Sequence, residues 1–229
     1  MTTEPRAKDP EARGVRLTPV LLVLTVVSGL IDAISYLGLG RVFTANMTGN
    51  VVVLGFAAAG APGFSVRHTA TSLAFFLAGA TTGGRIVRGT GAGSRRVRTR
   101  VTLGAEAVLL AAAATVAHLT AEDGRLRVYA VIALTAFAMG LRNATVQKLA
   151  VPALTTTTVV TMTLTGLASD SHAAGGSDRR SRRRAAAVTA MFAGAVLGAA
   201  LVLHHGIAAP LLLAAVMSGV LALLASGRE

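Results

Sequence analysis

The sequence predicts an all-α, polytopic helical membrane protein with six to eight transmembrane segments in two internally repeated halves. Hydrophobic residues make up 53% of the 229 residues and charged residues only 14%, whereas soluble domains carry about 25% charge. The mean hydropathy is +0.64. The apolar residues form eight segments, and three short motifs recur in the same order in the two halves of the chain. A water-facing surface cannot be built from this composition.

Composition and charge exclude several classes of protein. The chain contains no cysteine and no tryptophan, which excludes a disulfide scaffold, a thiol enzyme and a cysteine-based zinc site. The net charge is +12, but aromatic residues make up only 4%, too few for base stacking along a nucleic acid. The arginines cluster at the ends of apolar segments. We therefore interpret them as positive-inside flanks that also contact anionic lipid headgroups, and we predict no nucleic-acid partner.

The first half of the chain, residues 17–120, contains four apolar segments and follows a cytoplasmic N-terminal tail at 1–16. A helix needs about 20 residues to cross the ~30 Å hydrocarbon core. The segment 17–39 meets this length, has Pro19 in its first turn and contains Asp32. The segment 45–61 is shorter and begins with polar residues. The segments 69–87 and 101–119 are of spanning length, and Glu106 lies inside the second of them.

The second half, residues 121–229, repeats this layout. An acidic turn at 122–124 precedes the segment 127–150, and Pro152 marks a break before the segment 154–169. That sixth segment is rich in threonine and marginal in length. The segments 185–203 and 209–225 complete the set. The order of long and short segments is therefore the same in both halves.

Three pairs of motifs indicate an internal duplication. The motif GLIDA at 29–33 matches GLRNA at 140–144, TANMTG at 44–49 matches TMTLTG at 161–166, and AGATTG at 78–83 matches AGAVLG at 193–198. Self-similarity in a fixed order is typical of repeat architectures. Duplicated halves are a common way of building a transporter, with the binding site between them.

The most distinctive stretches resemble a known family. SGLIDAISYLGLGRVFTANMTGN at 28–50 and GLRNATVQKLAVPALTTTTVVTMTLTGLASD at 140–170 resemble the YoaK family, bacterial multi-pass proteins grouped under a domain of unknown function. The resemblance covers nearly the whole chain. It implies a multi-pass protein of the bacterial plasma membrane and no settled activity. Arg142 departs from the family, which commonly has a polar amide at this position.

The arginine-rich loops constrain the topology. The loops at 88–100 and 170–184 can share one side of the membrane only if an even number of crossings separates them, yet three segments lie between. One alternative has six crossings, with the second and sixth segments re-entrant and the halves inverted relative to each other. The other has eight plain helices in a parallel repeat. The positive-inside bias slightly favours six.

Polar residues inside or beside the apolar segments are the candidate substrate- or ion-binding residues. They are Asp32, Asn46, Thr48, Gly49, Asn50, Arg142, Asn143, Thr161, Thr163 and Thr165. An intramembrane carboxylate such as Asp32 is costly, so we interpret it as a proton- or cation-coupled site, half of a charge pair, or a structural hydrogen-bond acceptor. The predicted partner of Arg142 is Asp32, with Glu106 second. The asparagines, threonines and glycine line a solute path or pack helices together.

These observations predict a small-solute transporter or channel with a polar site between the halves. The alternative is a non-transporting membrane scaffold or lipid-interacting protein. We expect no enzymatic activity, cofactor or metal, because no nucleophile–base set, metal-ligand spacing or nucleotide-binding loop occurs. The expected partners are the lipid bilayer, anionic headgroups at the arginine-rich loops and an unidentified small solute. The sequence leaves the oligomeric state open.

Overall fold

The structure, a computed structural model, describes residues 17–89, 95–119, 124–149, 158–170 and 181–225. Within these ranges each of the eight predicted apolar segments forms a helix. The helices are α1 (Leu17–Gly38), α2 (Met47–Ala58), α3 (Val66–Gly89), α4 (Arg95–Leu119), α5 (Arg125–Leu149), α6 (Thr158–Ser169), α7 (Ser181–His205) and α8 (Ala208–Leu224). The N-terminal tail, Pro152 and the centres of both arginine-rich loops lie outside the described residues.

The helices differ in whether they are long and apolar enough to cross a membrane. Four meet both conditions over Pro19–Gly38, Arg95–Leu119, Arg125–Lys148 and Ser181–His205. Helix α3 has 24 residues but is less apolar. Helices α2 and α6 have 12 described residues each, about 18 Å at 1.5 Å per residue, which is well short of the ~30 Å core. The fold is that of a helical membrane protein.

Helices α1 and α7 pack in parallel at a glycine-lined contact. A Cβ atom added to Gly194 would collide with the carbonyl oxygen of Val26, and one added to Gly198 would lie 2.7 Å from the carbonyl oxygen of Leu30. The two helices therefore run in the same direction along this contact. The approach is closer than any side chain larger than a hydrogen atom permits, as is typical of small-residue stripes in membrane helices.

Helices α3 and α5 make a contact of the same kind. A Cβ atom on Gly79 would collide with the carbonyl oxygen of Phe137, and one on Gly83 would lie 2.6 Å from the carbonyl oxygen of Leu141. These helices are therefore also parallel. Phe137 and Leu141 occupy the same positions relative to the GLRNA motif as Val26 and Leu30 do relative to GLIDA.

The remaining long contacts are antiparallel. Thr102 of α4 hydrogen-bonds Thr145 of α5, whereas Arg100, earlier in α4, reaches the carbonyl oxygens of Leu223 and Ala225 at the end of α8. Helix α8 follows α7 after a tight turn at Gly206, which has a φ of +71°. Helices α1, α4 and α7 consequently run in one direction, and α3, α5 and α8 run in the other.

These directions collect most basic residues at one end of the bundle, where α1, α4 and α7 begin and α3, α5 and α8 end. We call this the basic end. The described cations there are Arg85, Arg88, Arg95, Arg96, Arg98, Arg100, Lys148, Arg182, Arg183 and Arg184. The opposite end carries Arg41, Arg67, Arg125 and Arg127. The distribution of charge is therefore strongly asymmetric.

The apolar core lies between α1, α4, α5 and α8. Its fully buried members include Leu30, Ile34, Leu110, Met139 and Leu211. The outward faces are apolar as well: only 17% of the apolar window of α7 is buried. A surface of this kind is stable against lipid acyl chains and not against water.

Candidate functional site

A buried guanidinium lies where helices α1, α4, α5 and α8 meet. Arg142 of α5 is 2% exposed. Its Nη1 donates to Glu106 Oε1 of α4 at 3.0 Å, and its Nη2 donates to Ser28 Oγ of α1 at 2.5 Å. Ser218 Oγ of α8 donates to the same Glu106 oxygen at 2.9 Å. We call Arg142, Glu106, Ser28, Ser218 and the neighbouring Asp32 the charge centre.

The partner of Arg142 differs from the first prediction. We expected Asp32, with Glu106 second, and the ion pair forms with Glu106. The reason is the antiparallel contact of α4 and α5, which places residues 106 and 142 one turn beyond the Thr102–Thr145 hydrogen bond. Asp32 lies one turn beyond Ser28 on α1 and interacts with Arg142 electrostatically, without a direct hydrogen bond.

Asp32 instead holds the loop that leads into α2. Its Oδ1 accepts the backbone N–H groups of Ala45 at 2.9 Å and Asn46 at 3.1 Å. The side chain is 6% exposed. Its second oxygen, Oδ2, is buried and has no hydrogen-bond partner within the described ranges. Asp32 therefore links the charge centre to the start of the short helix.

The motif around Asn46 caps α2. Asn46 is the N-cap residue, and its Oδ1 accepts the N–H of Gly49 at 3.0 Å, which satisfies one of the free donors of the first turn. A Cβ atom on Gly49 would lie 2.8 Å from the ring of Phe43, so a larger residue here would have to displace that ring. Thr48 is exposed. These residues fix the local backbone geometry at the start of α2.

Asn50 is fully buried and ties the same loop to α3. Its Oδ1 accepts the N–H of Phe43 at 2.8 Å, and its Nδ2 donates to the Phe43 carbonyl oxygen at 2.6 Å and to Ser72 Oγ at 3.0 Å. Ser72 Oγ in turn donates to the Phe43 carbonyl oxygen at 2.7 Å. The amide thus pairs with the backbone of Phe43 as a neighbouring peptide group would.

The corresponding residues of the second half do not converge on the charge centre. Thr163 is buried, whereas Thr161 and Thr165 are exposed, and α6 packs against α7. The carbonyl oxygen of Gly166, at the end of α6, accepts Arg184 Nη1 of α7 at 2.6 Å. Asn143, the counterpart of Asp32 in the repeated motif, is half-buried on α5.

Sequence reasoning missed three polar members of these networks: Ser28, Ser218 and Ser72. Ser28 precedes Asp32 by one helical turn, and residues four apart share a helix face, so this spacing could have identified it. Ser218 and Ser72 stand in apolar helices without a motif. Their roles follow from packing between helices that are distant in sequence.

A small cavity touches the charge centre at Arg142. A cavity of about 10 Å³ borders Arg142, Thr102 and Thr145 and is otherwise mainly apolar, which is roughly the room that one water molecule needs. A larger groove of about 430 Å³ lies between the end of α4 and the start of α8 and includes His118 and His205. Among the described residues, no three metal-ligating side chains come together.

Comparison with known proteins is consistent with this architecture. A family model described as a protein of unknown function (DUF1275) matches residues 20–224. The UPF0700 transmembrane protein YoaK of Bacillus subtilis (strain 168) is 32% identical over 151 residues, which cover 66% of this chain and 65% of that protein. The chain thus spans slightly less than two thirds of that relative's length. No solved structure matches it. With apolar helices of spanning length and a transmembrane relative, this chain is an integral membrane protein that belongs to the DUF1275 family.

Proposed function

We propose that this protein is a small-solute transporter of the bacterial plasma membrane whose binding site is the charge centre. The centre draws Ser28 and Glu106 from the first half of the chain, and Arg142 and Ser218 from the second. Transporter sites commonly lie between such halves. The proposal includes no catalytic step, cofactor or resident metal.

The observation that carries this proposal is the burial of Arg142 and Glu106, at 2% and 0% exposure. Removing two charges from water costs several kcal/mol per ion, and well-packed apolar residues of similar volume are often as stable or more stable. Apolar packing would therefore hold these helices together at least as well as this buried ion pair does. Charged side chains inside membrane bundles typically mark substrate or ion pathways.

The proposed topology has six crossings and two halves of inverted orientation. The helix directions support this topology. Since α1 and α3 run in opposite directions, α3 begins on the side of the membrane on which α1 ends. Helix α2, which lies between them in the chain, must therefore enter and leave on that same side. The same holds for α5, α6 and α7. The spanning helices of each half alternate in direction. The first of them in the first half, α1, starts at the basic end, whereas the first in the second half, α5, starts at the opposite end. The matched glycine contacts of α1 with α7 and of α3 with α5 favour the same relation.

The orientation follows from charge. The basic end carries most of the described cations, and cytoplasmic loops are enriched in lysine and arginine. We therefore propose that the basic end is cytoplasmic and that the loop between α2 and α3 faces outside. The basic end would also contact anionic lipid headgroups.

Single cysteines test the topology, since the chain has none of its own. We would introduce Ser65→Cys, Ser94→Cys and Ser177→Cys separately and label intact cells with a membrane-impermeant thiol reagent. Six crossings predict labelling of the Ser65→Cys variant and of neither other variant. Labelling of the Ser94→Cys variant alone would indicate eight crossings and contradict the inverted arrangement.

A cysteine at the charge centre tests transport. Ser218→Cys changes one atom of a residue that contacts Glu106. A transporter opens its site to each side in turn, so we expect the impermeant reagent to reach this cysteine in both right-side-out and inside-out vesicles. Labelling from neither side, or from one side only, would refute the proposal and favour the alternative of a scaffold that binds lipid through its arginine-rich end.

A further inference from the structure

The charge centre contains more negative than positive side chains. The centre contains one guanidinium, that of Arg142, and two carboxyl groups, those of Glu106 and Asp32, and all three residues are nearly inaccessible to water. In the described parts of α1, α4, α5, α7 and α8, the other charged residues lie near the helix ends. With every group ionised, the centre would hold one uncompensated negative charge in the membrane interior.

Each carboxyl group also has one oxygen without a partner. The hydrogen bonds of Asp32 to Ala45 and Asn46 use Oδ1, and those of Glu106 to Arg142 and Ser218 use Oε1. Asp32 Oδ2 and Glu106 Oε2 are buried and make no hydrogen bond in the part of the chain that the structure describes. A buried charged oxygen without a partner is expensive. A proton on such an oxygen removes the surplus charge and leaves every existing hydrogen bond intact.

The ligand groups at the site favour a proton over a metal cation. Hard cations such as Mg²⁺ and Ca²⁺ need six or more oxygen ligands. Among the described residues, no three His, Cys, Asp or Glu side chains come together. Asp32 and Glu106 alone cannot supply the oxygen ligands that such an ion needs. A proton needs only the one free carboxylate oxygen.

The direct ion pair decides which carboxyl group holds the proton. Glu106 is 3.0 Å from Arg142 and also accepts Ser218, so its charge is balanced, whereas Asp32 has no direct bond to a cation in the described structure. We propose that Asp32 carries a transferable proton on Oδ2 and that, given the transport function proposed above, this proton is the coupling ion. The proton comes from water on one side of the membrane and is released to water on the other.

Release of the proton would also move Arg142. The resulting Asp32 carboxylate competes with Glu106 for the guanidinium, since Ser28, which already binds Arg142, lies one turn away on the same face of α1. Arg142 belongs to the second half of the chain and Asp32 to the first. Asp32 also holds the loop before α2 through Ala45 and Asn46. Protonation and the packing of the two halves are therefore linked through one side chain.

Infrared spectroscopy of the full-length protein in liposomes tests the proton site without knowledge of the solute. A protonated carboxyl group has its own carbonyl band, which shifts in D₂O. At pH 5 we expect such a band, lost in Asp32→Asn and retained in the control Asp170→Asn. Asp170 is an exposed residue that pairs with Arg184. Absence of the band, or its loss in Glu106→Gln but not in Asp32→Asn, would overturn the proposal.

Isotope labelling keeps this test decisive if Asp32→Asn does not fold. In the wild-type protein, ¹³C-aspartate should shift the band, and ¹³C-glutamate should leave it unchanged. The reverse result would assign the proton to a glutamate and overturn the proposal.

The infrared readout is independent of transport. If the band appears but Ser218→Cys is not labelled from both sides, the proton site stands and the transport function fails. If labelling is two-sided but the band is absent, transport stands and the proton site fails.

Discussion

Replacing Gly79 by alanine tests the parallel packing of α3 against α5. The added Cβ atom would collide with the carbonyl oxygen of Phe137 and lie 3.0 Å from its Cα atom. Ordinary carbon contacts are about 3.5–4.0 Å, and the obstacle is backbone that cannot rotate away. The two helices must therefore separate by something on the order of 1 Å.

The expected loss follows from that separation. A gap of 0.5–1 Å forfeits roughly a quarter to a half of the dispersion energy of each affected contact, and overpacking of a well-packed site costs about 1–3 kcal/mol. We expect Gly79→Ala to lower the free energy of unfolding by about that amount. Gly194→Ala should cost a similar amount, because its Cβ atom would collide with the carbonyl oxygen of Val26 at the contact of α1 with α7.

The assay is denaturant unfolding of the purified protein in detergent micelles, followed by circular dichroism. Gly104→Ala is the matched control, since no other element of the described structure comes within 4 Å of a Cβ at this position of α4. Alanine is favoured over glycine inside a helix by about 0.5–1 kcal/mol, so this variant should be as stable as the wild type or slightly more so. Equal stabilities for Gly79→Ala and Gly104→Ala would refute the packing argument.

Three further predictions concern the polar networks. Asn50→Ala should lower the free energy of unfolding by about 1–3 kcal/mol, because it removes the side chain that pairs with the backbone of Phe43. Denaturant titration measures this loss, and a loss under about 0.5 kcal/mol would contradict the pairing. Asn46→Ala removes the N-cap of α2 and should cost about 1 kcal/mol, as seen in the same titration; unchanged stability would contradict the capping role. In double-mutant cycles, the coupling energy between Arg142 and Glu106 should be about 0.5–3 kcal/mol, and that between Arg142 and Asp32 should be smaller. A larger coupling energy for Arg142 and Asp32 would contradict the observed pairing.

Exposed positions in the same segments provide controls for these variants. Thr48→Ala changes an exposed side chain in the first turn of α2 and should stay within about 0.5 kcal/mol of the wild type. Thr165→Ala, exposed on α6, should behave in the same way. Losses at these positions comparable to those of Asn46→Ala and Asn50→Ala would mean that the motifs act through contacts absent from the described structure.

The candidate site was only partly predictable from the sequence. Asp32 and Arg142 stood out because charged residues are rare and costly inside apolar segments, and both lie at the charge centre. The asparagines at 46 and 50 stood out equally, yet their side chains satisfy nearby backbone groups. Sequence alone could not separate these roles, because an amide that lines a solute path and one that caps a helix occur at the same spacing.

The sequence by itself determined that this is a helical membrane protein and where its eight apolar segments lie, because hydropathy and segment length are properties of the local chain. It also limited the topology, through the positions of the arginines, to two alternatives. Only the tertiary structure decided that Arg142 pairs with Glu106, that α1 packs in parallel with α7, and that α3 packs in parallel with α5. Those facts depend on which helices come into contact, in one case helices more than a hundred residues apart in the sequence. They also depend on the directions in which neighbouring helices run. In an apolar bundle, that choice follows from small residues that permit close contact and from buried polar groups that need partners.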